Sequence, residues 1–251
     1  VNKILVFIPT YAEVDNVVAM CEQIMALPLP LDLHFMDDAS PDGTGEELDR
    51  LAALYPRMTV GHRAQKLGIG SAHQEGISHA YRNGYDFLVT MDCDFTHDPQ
   101  KIPDLLKARD GYQVVLGSRY LQAESLPNWT RTRTLLTQLG HFLTLHLLQI
   151  KYDATNAFRL YDLTTIPPEL FKLVRSTSYS FFFESLFVLA HNRISIREIP
   201  VILPNRTAGQ SKLSWSEAFR SGRFLLKLAL ERWINPKRFR LPAGAYPSKS
   251  K

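Results

Sequence analysis

Short apolar runs and helical-period stretches alternate through the first half of the chain. Runs at residues 3–8, 33–37, 58–61, 87–91 and 113–117 read as buried strands, and amphipathic stretches at 14–26, 45–54, 70–82 and 99–109 fit helices between them. This alternation predicts an α/β fold built on a doubly wound, mostly parallel sheet. Further on, residues 132–150 place Leu135, Leu139, Phe142, Leu143, Leu147 and Ile150 on one helical face, opposite Arg131, Gln138, His141 and Thr144. A second amphipathic helix at 216–234 presents Phe219, Leu226, Leu230 and Trp233 among Arg220, Arg223, Lys227 and Arg232. An apolar stripe ordinarily faces a core, but a basic flank with a tryptophan suits a helix lying in an anionic membrane interface.

The polar residues of interest sit where predicted strands end, which in open α/β sheets is where ligands gather. The first strand runs into Pro9-Thr10-Tyr11-Ala12-Glu13, the second into Asp37-Asp38-Ala39-Ser40-Pro41-Asp42-Gly43-Thr44, and the fourth into Met91-Asp92-Cys93-Asp94-Phe95-Thr96-His97. Asp38 suits the hydroxyls of a ribose or the N–H groups of a base, with Glu13 nearby. Asp92 and Asp94 form a candidate site for a hard cation, Mg²⁺ or Mn²⁺, which takes one or two carboxylates and fills its octahedron with water and phosphate oxygens. An Asp-x-Asp pair alone equally describes two solvated acids, and residues 40–43 equally describe a plain turn before a helix cap at Thr44. Turn chemistry does not account for acids at three separate strand ends. Gly68-Ile69-Gly70 lacks the spacing of a dinucleotide fingerprint or a P-loop and reads as the tight start of a helix.

Composition narrows the class. A chain of 251 residues with 45% hydrophobic content can bury a full core as one domain, or as one domain with a small appendage. Two cysteines, Cys21 and Cys93, exclude a disulfide framework, no Cys/His spacing suggests zinc, and reduced thiols in cytosol are expected. No secretory leader or membrane span is expected, the longest apolar stretches being broken by His146, Glu184 and Lys227. The net charge of +4 hides an asymmetry: of 29 Lys/Arg and 25 Asp/Glu, 11 and 2 fall at residues 206–251, leaving 18 and 23 before them. Such a basic tail suits anionic lipid or a phosphorylated ligand, and no nucleic-acid-binding signature accompanies it.

These strand-end blocks, with Leu67-Gly68-Ile69-Gly70-Ser71-Ala72, Gly117-Ser118-Arg119-Tyr120 and Asn205-Arg206-Thr207-Ala208-Gly209-Gln210-Ser211-Lys212-Leu213-Ser214, follow one another over residues 4–214. The series resembles the inverting family 2 glycosyltransferases of GT-A fold, and among them the dolichol-phosphate mannose synthases. The resemblance implies a catalytic domain at 1–214, followed by a basic amphipathic helix and tail at 215–251. It implies that Pro9, Tyr11, Glu13, Met36 and Asp38 line a nucleotide pocket, with Asp92 and Cys93 against ribose and sugar. Asp94 would hold the metal on the diphosphate, and Thr96 stands where relatives use Gln or Ser as a metal ligand. Arg119, Arg206 and Lys212 would bind phosphates of donor or acceptor, with Arg131 and Arg133 near a lipid phosphate.

The implied activity is inverting transfer of a hexose from a nucleotide-sugar donor to a polyprenyl phosphate, with mannose from GDP-mannose foremost. The implied setting is peripheral, on an anionic membrane at its cytoplasmic face, with any transmembrane partner a separate protein. Three alternatives stay open: UDP-glucose or another donor, a sugar-hydroxyl acceptor, and a non-catalytic nucleotide-sugar binding module. A phosphate acceptor has a second pKa of about 6 and is already largely ionised, so it needs no strong base. A hydroxyl would call for a positioned carboxylate, for which Asp153, Asp162 and Glu184 are candidates. Asn156-Ala157-Phe158-Arg159 departs from the Ser-Gly-Phe-Arg of many relatives, so the acceptor-side loop is expected to differ in shape.

Overall fold

The first strand, β1 (Ile4–Thr10), has six of its seven residues buried, as expected of a strand covered on both faces. The computed structural model describes residues 2–122, 124–127, 129–204 and 215–242, the side chains of Arg131, Thr132 and Trp215 excepted. After α1 (Val14–Met25), β2 (Leu31–Asp37) pairs with β1 in parallel, Ile4 opposite Leu31 and Thr10 opposite Asp37. The unit repeats through α2 (Thr44–Leu54), β3 (Met58–His62), α3 (Ile69–Arg82) and β4 (Phe87–Thr90). Because β2 lies on one side of β1 and β4 on the other, the strand order reverses at β1, and a crevice opens beyond its carboxyl end.

A 3₁₀ turn at Pro99–Lys101, capped by Asp98 accepting from the Gln100 amide at 2.9 Å, leads into α4 (Ile102–Lys107) and β5 (Val114–Ser118). There follow α5 (Arg131–Leu148), β6 (Arg159–Asp162), α6 (Glu169–Lys172), α7 (Phe181–His191), β7 (Ile196–Pro200) and α8 (Trp215–Ile234). The seven strands lie in the order 3-2-1-4-6-5-7, parallel except for β6, which runs against both β4 and β5.

Three of these elements carry no periodic signal. Nine of eleven α7 residues are buried, and a helix that is apolar all round shows no stripe. β6 is four residues long and begins with Arg159, which is fully buried. Its guanidinium donates to the carbonyls of Ala154, Asn156 and Phe182 at 2.8–2.9 Å and to Ser185 Oγ at 3.0 Å, tying β6 to α7. β7, at the sheet edge, is only partly buried. Ala157 in the 156–159 loop is not among the residues of positive φ, so the backbone there does not require a glycine. Asn156 fastens it, donating to Gly117 O at 2.7 Å.

Core residues fill both faces of the sheet. On one face Val17, Met20 and Ile24 pack with Leu48, Leu51 and Leu105. The other joins α3 and α7 to Leu225, Leu228 and Ala229 of α8 and to Phe239 beyond it. The outward side of α8 leaves Phe219, Leu226, Leu230, Trp233 and Ile234 exposed, and α5 exposes Leu135, Leu136, Leu139 and Phe142. No helix among the described residues is long and apolar enough to cross a membrane.

Two buried histidines make the fold acid-sensitive. His73 is packed among Phe7, Phe181 and Phe182, and burial, with Arg159 nearby, pushes its pKa down to about 3. His34 stacks on His79 at 4.1 Å, and burial together with that neighbour lowers it to about 4. Unfolding frees both to protonate near pH 6.5, so their contribution to stability is complete above that pH and is lost as pH falls toward 4. The melting temperature is expected to drop over that interval, and His73→Phe, which keeps the ring stack, should make the drop shallower; an unchanged slope would refute the assignment.

Candidate active site

The crevice beyond β1 is a cleft of about 340 Å³, with Pro9, Tyr11, Glu13, Asp38, Asp92, Cys93 and Asp94 in its walls. Those seven sequence-expected residues are brought together from the ends of β1, β2 and β4. Left-handed backbone at Ala12 (φ 52°) and Ala39 (φ 58°) turns the first two loops toward each other. Side chains then join them: the Ala12 amide donates to Ser40 Oγ and the Glu13 amide to Thr44 Oγ1, each at 2.9 Å.

Asp38 is nearly buried, and its carboxylate is the hub of the next loop. Oδ1 accepts from Arg63 Nη1 and from the Leu67 amide, and Oδ2 from the Gly68 amide, all at 2.9 Å. Arg63 also donates to Ser71 Oγ at 2.9 Å and Glu75 Oε2 at 3.1 Å. Lys66, carried by this loop, lies 3.5 Å over the Tyr11 ring. Gly68 has φ +96°, and a Cβ there would fall 2.7 Å from Thr177 O, so the loop packs directly on the segment before α7.

At the end of β4 the chain folds around its own acids. The Asp92 amide donates to His97 Nδ1 at 3.0 Å, so the proton sits on Nε2, which faces Asn156 Oδ1 at 2.7 Å. The Asn156 that departs from the family pattern thus braces the Asp-x-Asp turn. Asp94 Oδ1 accepts from the Thr96 amide at 3.1 Å and from its hydroxyl at 2.6 Å, an Asx turn that fixes the carboxylate at the cleft wall. Asp92 keeps 30% of its side chain exposed.

The remaining expected residues fall elsewhere. Met36 does not line the cleft; its side chain packs into the core over Gly61, where a Cβ would come within 3.0 Å of its sulfur. Thr96 lies behind Asp94, and Arg119 is buried against Asp153. Arg206 and Lys212 lie outside the described residues. None of the three carboxylates considered as a base is in the cleft wall. Asp162 caps Thr164 at the opposite end of the sheet, Glu184 binds the amides of Arg175 and Ser176, and Asp153 holds Arg119. Sequence reasoning missed Arg63 and Lys66, whose signal was two cations directly after the third strand. It also missed Thr177, Ser178, Tyr179, Glu217 and Arg220, which reach the cleft from the segment before α7 and from α8.

Arg119 meets Asp153 in a forked pair, Nε to Oδ2 at 2.8 Å and Nη2 to Oδ1 at 2.6 Å, while its amide adds a third bond at 3.1 Å. Burial alone would raise the Asp153 carboxyl, but the guanidinium charge and these hydrogen bonds hold it below the usual range. By the same attraction Arg119 stays protonated despite its burial.

A mostly parallel sheet with an Asp-x-Asp turn and a nucleotide-sized cleft at its switch point has the architecture of a GT-A glycosyltransferase. Residues 5–180 match the family described as Glycosyl transferase family 2, and the chain belongs to that family. An undecaprenyl-phosphate mannosyltransferase of Micrococcus luteus is 32% identical over 84% of this chain and 88% of its own length. A polyprenol monophosphomannose synthase of Mycolicibacterium smegmatis is 33% identical over 86% and 82%. Among solved structures, glucosyl-3-phosphoglycerate synthase of Mycobacterium tuberculosis, in complex with Mn²⁺, UDP and glucosyl-3-phosphoglycerate, superposes with a TM-score of 0.64 at 17% identity, covering 99% of this chain and 82% of that one. Mannosyl-3-phosphoglycerate synthase of Rubrobacter xylanophilus gives 0.62 at 14% identity, covering 100% and 78%.

Removing one partner of a buried ion pair strands the other, at a cost of about 3–5 kcal/mol. Asp153→Asn should therefore lower the urea unfolding free energy by about that much. A loss below about 1 kcal/mol would show that the pair is not held as described.

Proposed function

We propose that the chain moves mannose from GDP-mannose to a polyprenyl phosphate, with inversion at the sugar carbon. The observation that carries this reading is the similarity, over more than four-fifths of the chain, to two enzymes named for mannosyl transfer to polyprenyl phosphates. The cleft supports it. Tyr11 and the loop clamped to Asp38 would take the nucleoside, and Asp92 and Cys93, in the same wall, would lie against ribose and sugar.

The donor set fits a hard divalent cation: Asp94 is a carboxylate anchored through one oxygen by Thr96, with Asp92 beside it in the same wall. Asp94 would hold Mg²⁺ or Mn²⁺, whose charge, when bound, stabilises the departing diphosphate. Thr96 acts here by orienting Asp94. The glucosyl-3-phosphoglycerate synthase of similar fold is described with Mn²⁺ and with Mg²⁺.

A phosphate acceptor arrives ionised and needs no strong base. Asp153, Asp162 and Glu184 lie outside the cleft wall, and of the carboxylates that line it Asp38 is tied up by Arg63 and two backbone amides and Asp94 is held by Thr96. Arg206 and Lys212 would bind the phosphates of donor and acceptor, the arginine by forked hydrogen bonds and the lysine as a point charge, whereas the fork of Arg119 is taken up by Asp153. The exposed apolar side of α8, flanked by Arg223, Lys227 and Arg232, and that of α5 would rest on an anionic membrane surface where the lipid acceptor resides.

Two experiments test this. Incubation with radiolabelled GDP-mannose or UDP-glucose, polyprenyl phosphate and Mg²⁺ or Mn²⁺ should put label from GDP-mannose into the organic phase. Asp94→Asn should cut the rate by about 100-fold or more with unchanged melting. Full turnover in that variant would sink the metal assignment, and label confined to water-soluble product would sink the acceptor. Separately, Leu230→Glu combined with Trp233→Glu, both at exposed sites, should weaken sedimentation with anionic vesicles by about tenfold; unchanged sedimentation would remove α8 from the membrane contact.

A further inference from the structure

The residues of α8 spaced three and four apart give it an inward side with two neighbours. Leu225 and Leu228 pack in the core, and two turns earlier on that side Glu217 and Arg220 reach the cleft. This end of the helix is fixed against the start of α7, Ser221 Oγ lying 3.3 Å from Ser180 Oγ and the Phe224 ring 6.0 Å from that of Phe183. The same start of α7 follows Thr177, Ser178 and Tyr179, which line the cleft beside Arg220. Arg220 is therefore held at the cleft by packing, although its own side chain is 65% exposed.

Charge says what Arg220 is suited to bind. The described lining carries five carboxylates and two cations, Lys66 and Arg220. Lys66 is stacked over Tyr11, on the nucleoside side of the cleft. Arg220 Nη1 rests on Glu217 Oε1 at 2.8 Å, within one turn of the same helix. The guanidinium side of this pair is open to solvent while Glu217 is 20% exposed, and ion pairs one helical turn apart are weak enough to exchange partners. A diphosphate entering the cleft brings more charge than one carboxylate and offers oxygens that match the guanidinium fork.

We propose that Arg220 is a donor-binding residue whose guanidinium passes from Glu217 to the diphosphate of the nucleotide sugar, so that α8 forms one wall of the donor site. This rests on the cleft being the nucleotide-sugar site and adds a contact from outside the matched strand-end motifs. Glu217 holds the side chain in place until the donor arrives.

The test is calorimetric titration of the whole chain with GDP and UDP in Mg²⁺, and with guanosine and uridine. Arg220→Gln should weaken the better-bound diphosphate by about tenfold, leave its nucleoside unchanged and melt like the wild type, with Arg220→Lys between. A glutamine variant that binds the diphosphate like the wild type overturns the proposal. So does equal weakening of nucleoside and diphosphate, which would mark a purely structural residue. If the wild type binds neither diphosphate, the nucleotide-sugar reading fails first and the proposal falls with it; if it binds and Arg220→Gln changes nothing, only the proposal falls.

Discussion

The clamp on Asp38 is the interaction on which the shape of the cleft depends. One carboxylate, nearly sealed from water, draws together a guanidinium from just beyond β3 and two backbone amides at the start of α3. A buried pair of this kind contributes little net stability over an apolar substitute. What it supplies is position. With Leu67 and Gly68 held, Gly68 and Gly70 can dock on the carbonyls of Thr177 and Ser178, and Lys66 is carried over Tyr11. Loosening Asp38 would move both sides of the cleft, the loop after β3 and the segment before α7.

The rest of the site is an acidic surface kept rigid by its own hydrogen bonds. Thr96 pins Asp94, and His97 joins the Asp92 amide to Asn156 on the loop that leads into β6. Such a wall would repel a bare diphosphate, so the proposed donor would have to enter accompanied by cations. Lys66 and Arg220 reach the cleft from opposite elements; under the proposal they would supply part of that positive charge, and a divalent ion at Asp94 the rest.

Much of this was legible in the chain because strand ends advertise themselves. Asp38, Asp92 and Asp94 each follow an apolar run and precede a turn, so their gathering at one sheet edge follows from a parallel topology. Met36 was misplaced because, on a strand buried on both faces, the sequence does not say which side chains turn toward the edge and which toward a vacancy such as that over Gly61. Arg63 and Arg119 were harder still: their roles are set by partners 25 and 34 residues away, and no local pattern encodes such a pairing. α7 was silent because uniform burial erases periodicity, and β6 because a fully buried arginine looks, in one dimension, like a surface charge.

The central claim is that the cleft binds a nucleotide diphosphate through a cation held at Asp94. It is tested most directly by measuring GDP affinity with Mn²⁺ and again with excess EDTA. The account predicts binding at least about tenfold tighter with the metal, and loss of that difference in Asp94→Ala. Equal affinity with and without metal, or a metal effect that survives the loss of Asp94, would contradict it.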